Sequence, residues 1–196
     1  MSTKTKILAF SGSLRKESFN HKLVSVAAGM AQSAGAEVTV LPVDALQMPL
    51  FNQDLEAESG LPVAAKTFKK QLISHDAFLI SSPEYNSSYT AVLKNAIDWA
   101  SRTEGDEKGL VAFHGKVAGI ISASPGKLGG LRGLFALRTL LGNIGVLVLP
   151  DLLAVSSAQS AFDESGQLKD SSEAERLQGL TGKLVEVSSK LAATSS

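Results

Sequence analysis

Three hydroxyl side chains and one arginine lie close together near the start of the chain. Ser11, Ser13 and Ser18 surround Arg15 in a stretch with a single glycine, Gly12. Hydroxyls and a guanidinium donate hydrogen bonds to phosphate oxygens, and small residues let backbone N–H groups approach the same anion. The pattern predicts a phosphate site. In an alternative interpretation, Ser18 only caps a helix and Arg15 is a solvated surface charge.

Two later loops carry residues that suit a flat ligand. The run Pro83-Glu84-Tyr85-Asn86 offers a proline, a carboxylate, an aromatic ring and an amide in four consecutive positions. The segment 122–130 contains Gly126, Gly129 and Gly130, which let backbone pack against a planar group because they lack a side chain. Together the three loops describe a ligand with a planar ring and a phosphate tail.

Five apolar runs of strand length recur along the chain. Continuous apolar runs are typical of parallel strands that are buried on both faces. The predicted strands are Ile7–Phe10, Glu37–Leu41, Ala77–Ser82, Lys116–Ser124 and Gly145–Leu149. Each of the three loops that carry candidate ligand-binding residues therefore follows the end of a strand.

Apolar residues at helical spacing predict five helices that alternate with these strands. The predicted helices are one that ends near Gly35, then Leu61–His75, Thr90–Arg102, one through Leu134–Leu141, and Glu173–Leu191. The segments 42–60 and 150–170 have no regular pattern and are expected to be irregular loops.

The alternation predicts a three-layer α/β/α domain, because right-handed crossovers place helices on both faces of a parallel sheet. A length of 196 residues suits one domain spanning 1–196. The element count favours five parallel strands in the order 2-1-3-4-5. In that order ligands bind beyond the carboxyl ends of the first and third strands. The loops that begin at residues 11, 83 and 122 are therefore expected to converge on one crevice.

Composition excludes several classes of function. The 19 basic and 19 acidic residues cancel, so no overall field attracts nucleic acid or an anionic membrane. The chain has no cysteine, which excludes disulfides and thiol redox chemistry, so any redox function needs a cofactor. Its three histidines are far apart and predict no metal site. The pair Asp106-Glu107 is in a polar loop and is expected to be solvated.

The first residues of the chain and the lengths of its apolar runs bear on where the protein is located in the cell. Met1–Lys6 leads directly into the first strand, unlike the longer apolar segment of a signal peptide. No apolar run approaches membrane-spanning length. We therefore expect the protein in the cytoplasm, with no membrane partner.

Four segments give the chain a resemblance to a known family. They are the run from Gly12 to Asn20, Pro83-Glu84-Tyr85-Asn86, Leu93-Lys94-Asn95-Ala96-Ile97-Asp98-Trp99, and the turn from Ser124 to Gly130. In this order and spacing they resemble the NAD(P)H-dependent FMN reductase family, a flavodoxin-like group that includes chromate and quinone reductases. The resemblance extends from residue 6 to about residue 187.

The resemblance implies fourteen cofactor-binding residues in the three loops. In the first loop they are Ser11, Ser13, Leu14, Arg15, Ser18, Phe19 and Asn20, of which Ser13, Arg15, Ser18 and Asn20 are expected on the FMN phosphate and ribityl chain. In the second loop, Pro83, Glu84, Tyr85 and Asn86 are expected along the ring edge, largely through backbone groups. In the third loop, Ser124, Gly129 and Gly130 are expected to close the far side of the ring.

The resemblance also implies an activity and an assembly. NADPH or NADH is the expected electron donor, and the acceptor is a quinone, a nitro- or azo-aromatic compound, chromate or flavin. The expected assembly is a homodimer or homotetramer, with the 93–102 helix at or near the dimer contact. Pro125 and Lys127 lie where family members vary, which leaves acceptor choice and nicotinamide docking open.

FMN itself accepts hydride, so the protein need only orient the rings and no catalytic acid or base is expected. We therefore expect a ping-pong cycle. A flavodoxin-type electron carrier without a nicotinamide site is the alternative, although carriers that dock by charge are expected to have a surface of one sign. A phospho-receiver domain needs acidic residues at the strand ends, whereas the first strand ends in Phe10-Ser11-Gly12.

Overall fold

Strands and helices alternate along residues 4–194, the part of the chain that the computed structural model describes. The strands are β1 (Lys6–Ser11), β2 (Glu37–Val40), β3 (Ala77–Ser81), β4 (Val117–Ala123) and β5 (Leu147–Val155). The helices are α1 (Phe19–Ser33), α2 (Gln53–Ser59), α3 (Val63–Ser74), α4 (Ala91–Ala100), α5 (Leu131–Asn143) and α6 (Ser171–Thr194). Residues 1–3, part of the segment in which no signal peptide is expected, lie outside this range.

The five strands form one parallel sheet in the order β2-β1-β3-β4-β5, which confirms the predicted topology. The register places Ser11 beside Ser81, and Ser81 beside Ile121. The carboxyl ends of β1, β3 and β4 therefore reach the same edge of the sheet, and the loops that follow them begin side by side.

Alternate residues of the strands face two helical layers, because successive strand side chains point to opposite faces. Ile7 and Ala9 of β1 pack in a core with α1 and α6. Leu8 and Phe10 pack in a second core with α3, α4 and α5. Among the helices of residues 4–194, none combines the length and apolarity needed to cross a lipid bilayer.

β5 continues through Pro150, although the predicted strand ends at Leu149 and an irregular segment is expected after it. The strand runs on to Val155, with a shift of register between Ala118 and Ile120 of its partner β4. A proline without an N–H is tolerated here because β5 is an edge strand. The prediction of an irregular segment after Leu149 is therefore wrong for the residues up to Val155, which belong to β5.

The segment 42–60 also differs from the irregular loop that was expected, because it contains α2. Asn52 caps this helix by accepting a hydrogen bond from the N–H of Asp54 at 2.8 Å. The buried Trp99 of α4 donates from Nε1 to the carbonyl of Pro49 at 2.8 Å and meets the Phe51 ring edge to face at 4.9 Å between centroids. Contacts with α4 thus order a segment in which the apolar residues have neither helical nor strand spacing.

Glu107 is exposed, in line with the expectation of a solvated side chain, but it also has a partner within the chain. Its carboxylate accepts a hydrogen bond from Nζ of Lys69, whose side chain is almost fully buried. The same ammonium group donates to the carbonyl of Arg102 at 2.6 Å. Glu107 therefore balances a buried charge on α3.

Candidate cofactor-binding site

A pocket of about 350 Å³ opens at the carboxyl ends of β1, β3 and β4. The loops that follow these strands meet there because β1 and β3 flank the point where the strand order reverses. The lining residues are Ser13, Arg15, Ser18, Phe19, Asn20, Pro83, Glu84, Tyr85, Ala123, Ser124 and Pro125. The predicted convergence of three loops on one crevice is therefore observed.

Nine of the fourteen predicted site residues belong to this lining. The five that do not are Ser11, Leu14, Asn86, Gly129 and Gly130. Leu14 is exposed at the surface, whereas Ser11 is buried at the end of β1. The Ser11 Oγ has no hydrogen-bond partner among the residues that the structure describes. Ala123 and Pro125 are lining residues outside the predicted set, although Pro125 was singled out in the third loop.

One end of the pocket is built from the start of α1. Ser18 caps the helix, and its Oγ accepts a hydrogen bond from the N–H of His21 at 3.4 Å. The Ser18 N–H donates to the carbonyl of Arg15 at 3.1 Å, and the Arg15 N–H donates to Oγ of Ser13 at 3.2 Å. These bonds fold the serines and Arg15 into one compact turn at the positive end of the helix dipole.

The donors in this turn suit an anion. The Arg15 guanidinium lies 5.2 Å from the centroid of the Phe19 ring, and no described residue forms an ion pair with it. First-turn N–H groups of a helix have no acceptor within that helix. Ser18 therefore caps α1, as the alternative interpretation holds, but Arg15 also faces the pocket with its charge unbalanced. The donor set fits a phosphate group.

Asn20 holds the edge of the sheet together. Its Nδ2 donates to the carbonyl of Ala123 at 2.8 Å, and its Oδ1 accepts from the Ala123 N–H at 3.0 Å. The same oxygen accepts from Oγ of Ser81 at 2.9 Å. The buried amide thus ties α1 to the ends of β3 and β4. Its expected contact with the FMN phosphate or ribityl chain stays a prediction.

A two-residue turn explains why Asn86 lies outside the pocket lining. Asn86 and Ser87 have φ values of 52° and 68°, and Tyr85 and Ser88 exchange two backbone hydrogen bonds around them. Two successive positive φ values define a type I′ turn, in which asparagine is favoured. The turn holds Tyr85 at the rim of the pocket, where 58% of its surface is exposed.

The side chain of Glu84 binds α5. Its Oε2 accepts from the backbone N–H groups of Arg132 at 3.0 Å and Gly133 at 3.2 Å, and its Oε1 accepts from Nε of Arg132 at 2.7 Å. Burial raises the pKa of Glu84, but the hydrogen bonds and the charge of Arg132 lower it more, so the net pKa lies below its usual value. Arg132 is not among the predicted site residues. The available signal was Gly130, which occupies the N-cap position of α5 and has no side chain to cap the helix.

The third loop needs glycine for internal packing. A Cβ on Gly129, at φ +60°, would lie 2.6 Å from the backbone carbon of Ala154. A Cβ on Gly130, at φ +95°, would overlap Oγ of Ser122, which donates to the carbonyl of Gly129. Neither glycine is among the residues that line the pocket, and their expected contact with the ring stays a prediction.

Known proteins match the chain over most of its length. The family model for NADPH-dependent FMN reductase matches residues 5–160. An NAD(P)H-dependent FMN reductase of Pseudomonas aeruginosa is 39% identical over 180 residues, which are 91% of this chain and 92% of that relative. A quinone reductase of Pseudomonas putida is 38% identical over 161 residues, which are 81% of this chain and 82% of that relative.

A solved structure has the same architecture. The flavoenzyme NAD(P)H:(acceptor) oxidoreductase FerB of Paracoccus denitrificans superposes with a TM-score of 0.80 at 33% identity. The superposition covers 96% of this chain and 98% of FerB. Family model, relatives and structure agree with the resemblance drawn from the loop motifs. The chain has a flavodoxin-like fold and belongs to the NADPH-dependent FMN reductase family.

Proposed function

We propose that the protein oxidises NAD(P)H with a bound FMN and reduces quinones. One observation carries the proposal. At one end of the pocket lie the start of α1 and Arg15, whose charge no described residue balances, and at the other end lie the second and third loops. This shape suits a phosphate tail and a planar ring. Family membership supports the cofactor, and the relatives named quinone reductase support the class of acceptor.

The residues present fit FMN. Arg15, the hydroxyls of Ser13 and Ser18 and the first-turn N–H groups of α1 would hold the phosphate. The segments 83–85 and 123–125 would enclose the ring. When bound, FMN supplies the chemistry, because it accepts hydride from a nicotinamide and passes reducing equivalents to a second substrate.

The residues of the chain bind and orient the reactants. Among the described residues that line the pocket, Glu84 carries the single carboxylate, and its hydrogen bonds to Arg132 and the start of α5 keep it ionised, with a lowered pKa. Among the described residues that line the pocket, none is a histidine, lysine or aspartate. The expectation that no catalytic acid or base is needed stays a prediction. The donor and the acceptor use the same open side in turn, which gives a ping-pong cycle.

A steady-state assay tests this function. Protein loaded with FMN is mixed with NADPH or NADH and a benzoquinone, and nicotinamide absorbance is followed against a control with the same concentration of free FMN. We expect turnover above the control and parallel lines in double-reciprocal plots. No turnover by the loaded protein would favour the electron carrier, although its balanced charge speaks against a carrier that docks by charge.

Other expectations stay predictions. Sedimentation velocity tests the homodimer or homotetramer, with the 93–102 helix near the contact, and limited proteolysis tests the single domain 1–196. The same assay with nitro- and azo-aromatic compounds, chromate and free flavin tests those acceptors. Cell fractionation tests the cytoplasmic location.

A further inference from the structure

The start of α5 depends on a side chain from another loop. Gly130 occupies the N-cap position and cannot provide a capping oxygen. Without one, the N–H groups of the first turn have no acceptor within the helix. Glu84 supplies that oxygen from 48 positions earlier, where it accepts from the N–H groups of Arg132 and Gly133. The second loop thus completes the helix that follows the third loop.

The second oxygen of the carboxylate adds an ion pair. Oε1 of Glu84 lies 2.5 Å from Nη2 of Arg132 and 2.7 Å from its Nε. The side chain of Glu84 is only 8% exposed, whereas that of Arg132 is 59% exposed. Both nitrogens bind the same oxygen, while Oε2 binds the backbone of α5, so the two oxygens together fix the orientation of the carboxylate.

The backbones of the two segments are in contact at this point. A Cβ on Gly133 would lie 3.1 Å from the carbonyl oxygen of Ser88 and 3.2 Å from Cβ of Glu84. Gly133 therefore lets the second loop approach α5 closely, and Glu84 holds it there. The neighbours of Glu84 in sequence, Pro83 and Tyr85, both line the pocket.

We propose that Glu84 is a positioning residue that sets the spacing between the second and third loops around the flavin ring. Its carboxylate binds the start of α5, and the first residue of α5 directly follows the third loop. One side chain therefore holds the second and third loops, which form the two walls of the pocket at the end proposed for the ring. The inference rests on the proposed function, because it assumes a flavin in this pocket. Arg15 acts at the opposite, phosphate end.

Flavin titrations with two ligands separate the two ends. FMN and riboflavin share the ring, but riboflavin lacks the phosphate. We expect Glu84→Gln to weaken binding of both flavins by the same factor, about tenfold, because the neutral amide loses the ion pair to Arg132 and keeps only one oxygen to accept the hydrogen bonds of the carboxylate. Arg15→Ala should weaken FMN alone. Glu107→Gln is the matched control, because it breaks the ion pair to Lys69 without touching the pocket and should change neither affinity.

A second readout distinguishes positioning from simple stabilisation. The visible circular dichroism of bound flavin reports the surroundings of the ring, and we expect Glu84→Gln to change it while Glu107→Gln does not. Arg132→Gln breaks the ion pair but keeps both backbone bonds to Glu84, and is expected to weaken both flavins by about threefold. If the Glu84→Gln protein does not fold, Arg132→Gln takes its place in both the titrations and the dichroism measurement.

The outcomes separate the two proposals. If the wild-type protein binds neither flavin, the proposed function fails. If it binds flavin, and the Glu84 or Arg132 variant keeps wild-type affinities and the wild-type dichroism of the bound ring, Glu84 does not set the spacing. Weaker binding of FMN with unchanged riboflavin binding would also overturn the inference, because it would place the effect at the phosphate end.

Discussion

Replacement of Asn20 by alanine tests whether one buried amide holds the edge of the sheet at the pocket. The residue is 4% exposed, and its side chain makes three hydrogen bonds of 2.8–3.0 Å, two to the backbone of Ala123 and one to Ser81. A hydrogen bond contributes about 1 kcal/mol, and each buried group left unpaired costs about 1–3 kcal/mol. We expect Asn20→Ala to lower the free energy of unfolding by about 3–5 kcal/mol.

Asn20→Asp is the matched variant, because it keeps the shape and removes one donor. Its carboxylate still accepts from the N–H of Ala123, but the second oxygen faces the carbonyl that Nδ2 of Asn20 now binds. Burial and this repulsion raise the pKa of the introduced carboxyl in the folded protein above its unfolded value. The folded state then binds the proton more tightly, so the loss of stability shrinks as pH falls.

Urea unfolding, followed by far-ultraviolet circular dichroism at neutral pH and at about pH 5, measures all three proteins without flavin. Asn20→Asp should gain stability relative to wild type at the lower pH, whereas the deficit of Asn20→Ala should stay constant. A loss below about 1 kcal/mol for Asn20→Ala, less than one such hydrogen bond contributes, would refute the reasoning. So would a deficit of Asn20→Asp that does not change with pH.

Three further predictions concern the anion site, the third loop and acid stability. Arg15→Ala should weaken FMN binding by about 1.5–3 kcal/mol in a fluorescence titration, and an unchanged affinity would contradict the phosphate assignment. In urea unfolding, Gly129→Ala should cost about 2–4 kcal/mol because its Cβ meets the backbone of β5, whereas Gly142→Ala, with open space in α5, should stabilise by about 0.5–1 kcal/mol; equal effects would contradict the packing argument. The hydrogen bond from Lys69 lowers the pKa of Glu107, so its stabilisation is present above the unfolded pKa and lost as pH falls through the folded pKa. Glu107→Gln should therefore flatten the acid side of a stability profile, and an unchanged profile would exclude this contribution.

Local patterns were sufficient to predict much of the fold and the place of the site. The apolar runs that became β1, β3 and β4 are buried along almost their whole length, so their composition alone indicates central parallel strands. Hydroxyls and Arg15 after the first strand indicated an anion site, and strand order then indicated where the three loops meet. Nine of the fourteen expected residues line one pocket for this reason.

The errors arise where distant contacts decide local structure. Pro150 follows the predicted end of the fifth strand at Leu149, and only the assembled sheet shows that β5 lies at an edge, where a proline can continue the strand. α2 has no amphipathic period, and its segment is ordered by Trp99 and Asn95 of α4. The sequence could not show that a Cβ at Gly129 or Gly130 would meet other parts of the chain, and the expected contact of these glycines with the ring stays a prediction.

The sequence by itself determined the order of the strands and of the helices other than α2, the parallel sheet and the three loops that could hold a phosphorylated ring, because burial pattern and loop chemistry are local properties. Tertiary structure alone decided which polar side chains are already committed within the protein. Asn20 binds β3 and β4, and Glu84 binds α5, through partners 48 to 103 positions away. No local pattern encodes such pairs, because a hydrogen bond needs atoms about 3 Å apart and only the folded chain brings them together.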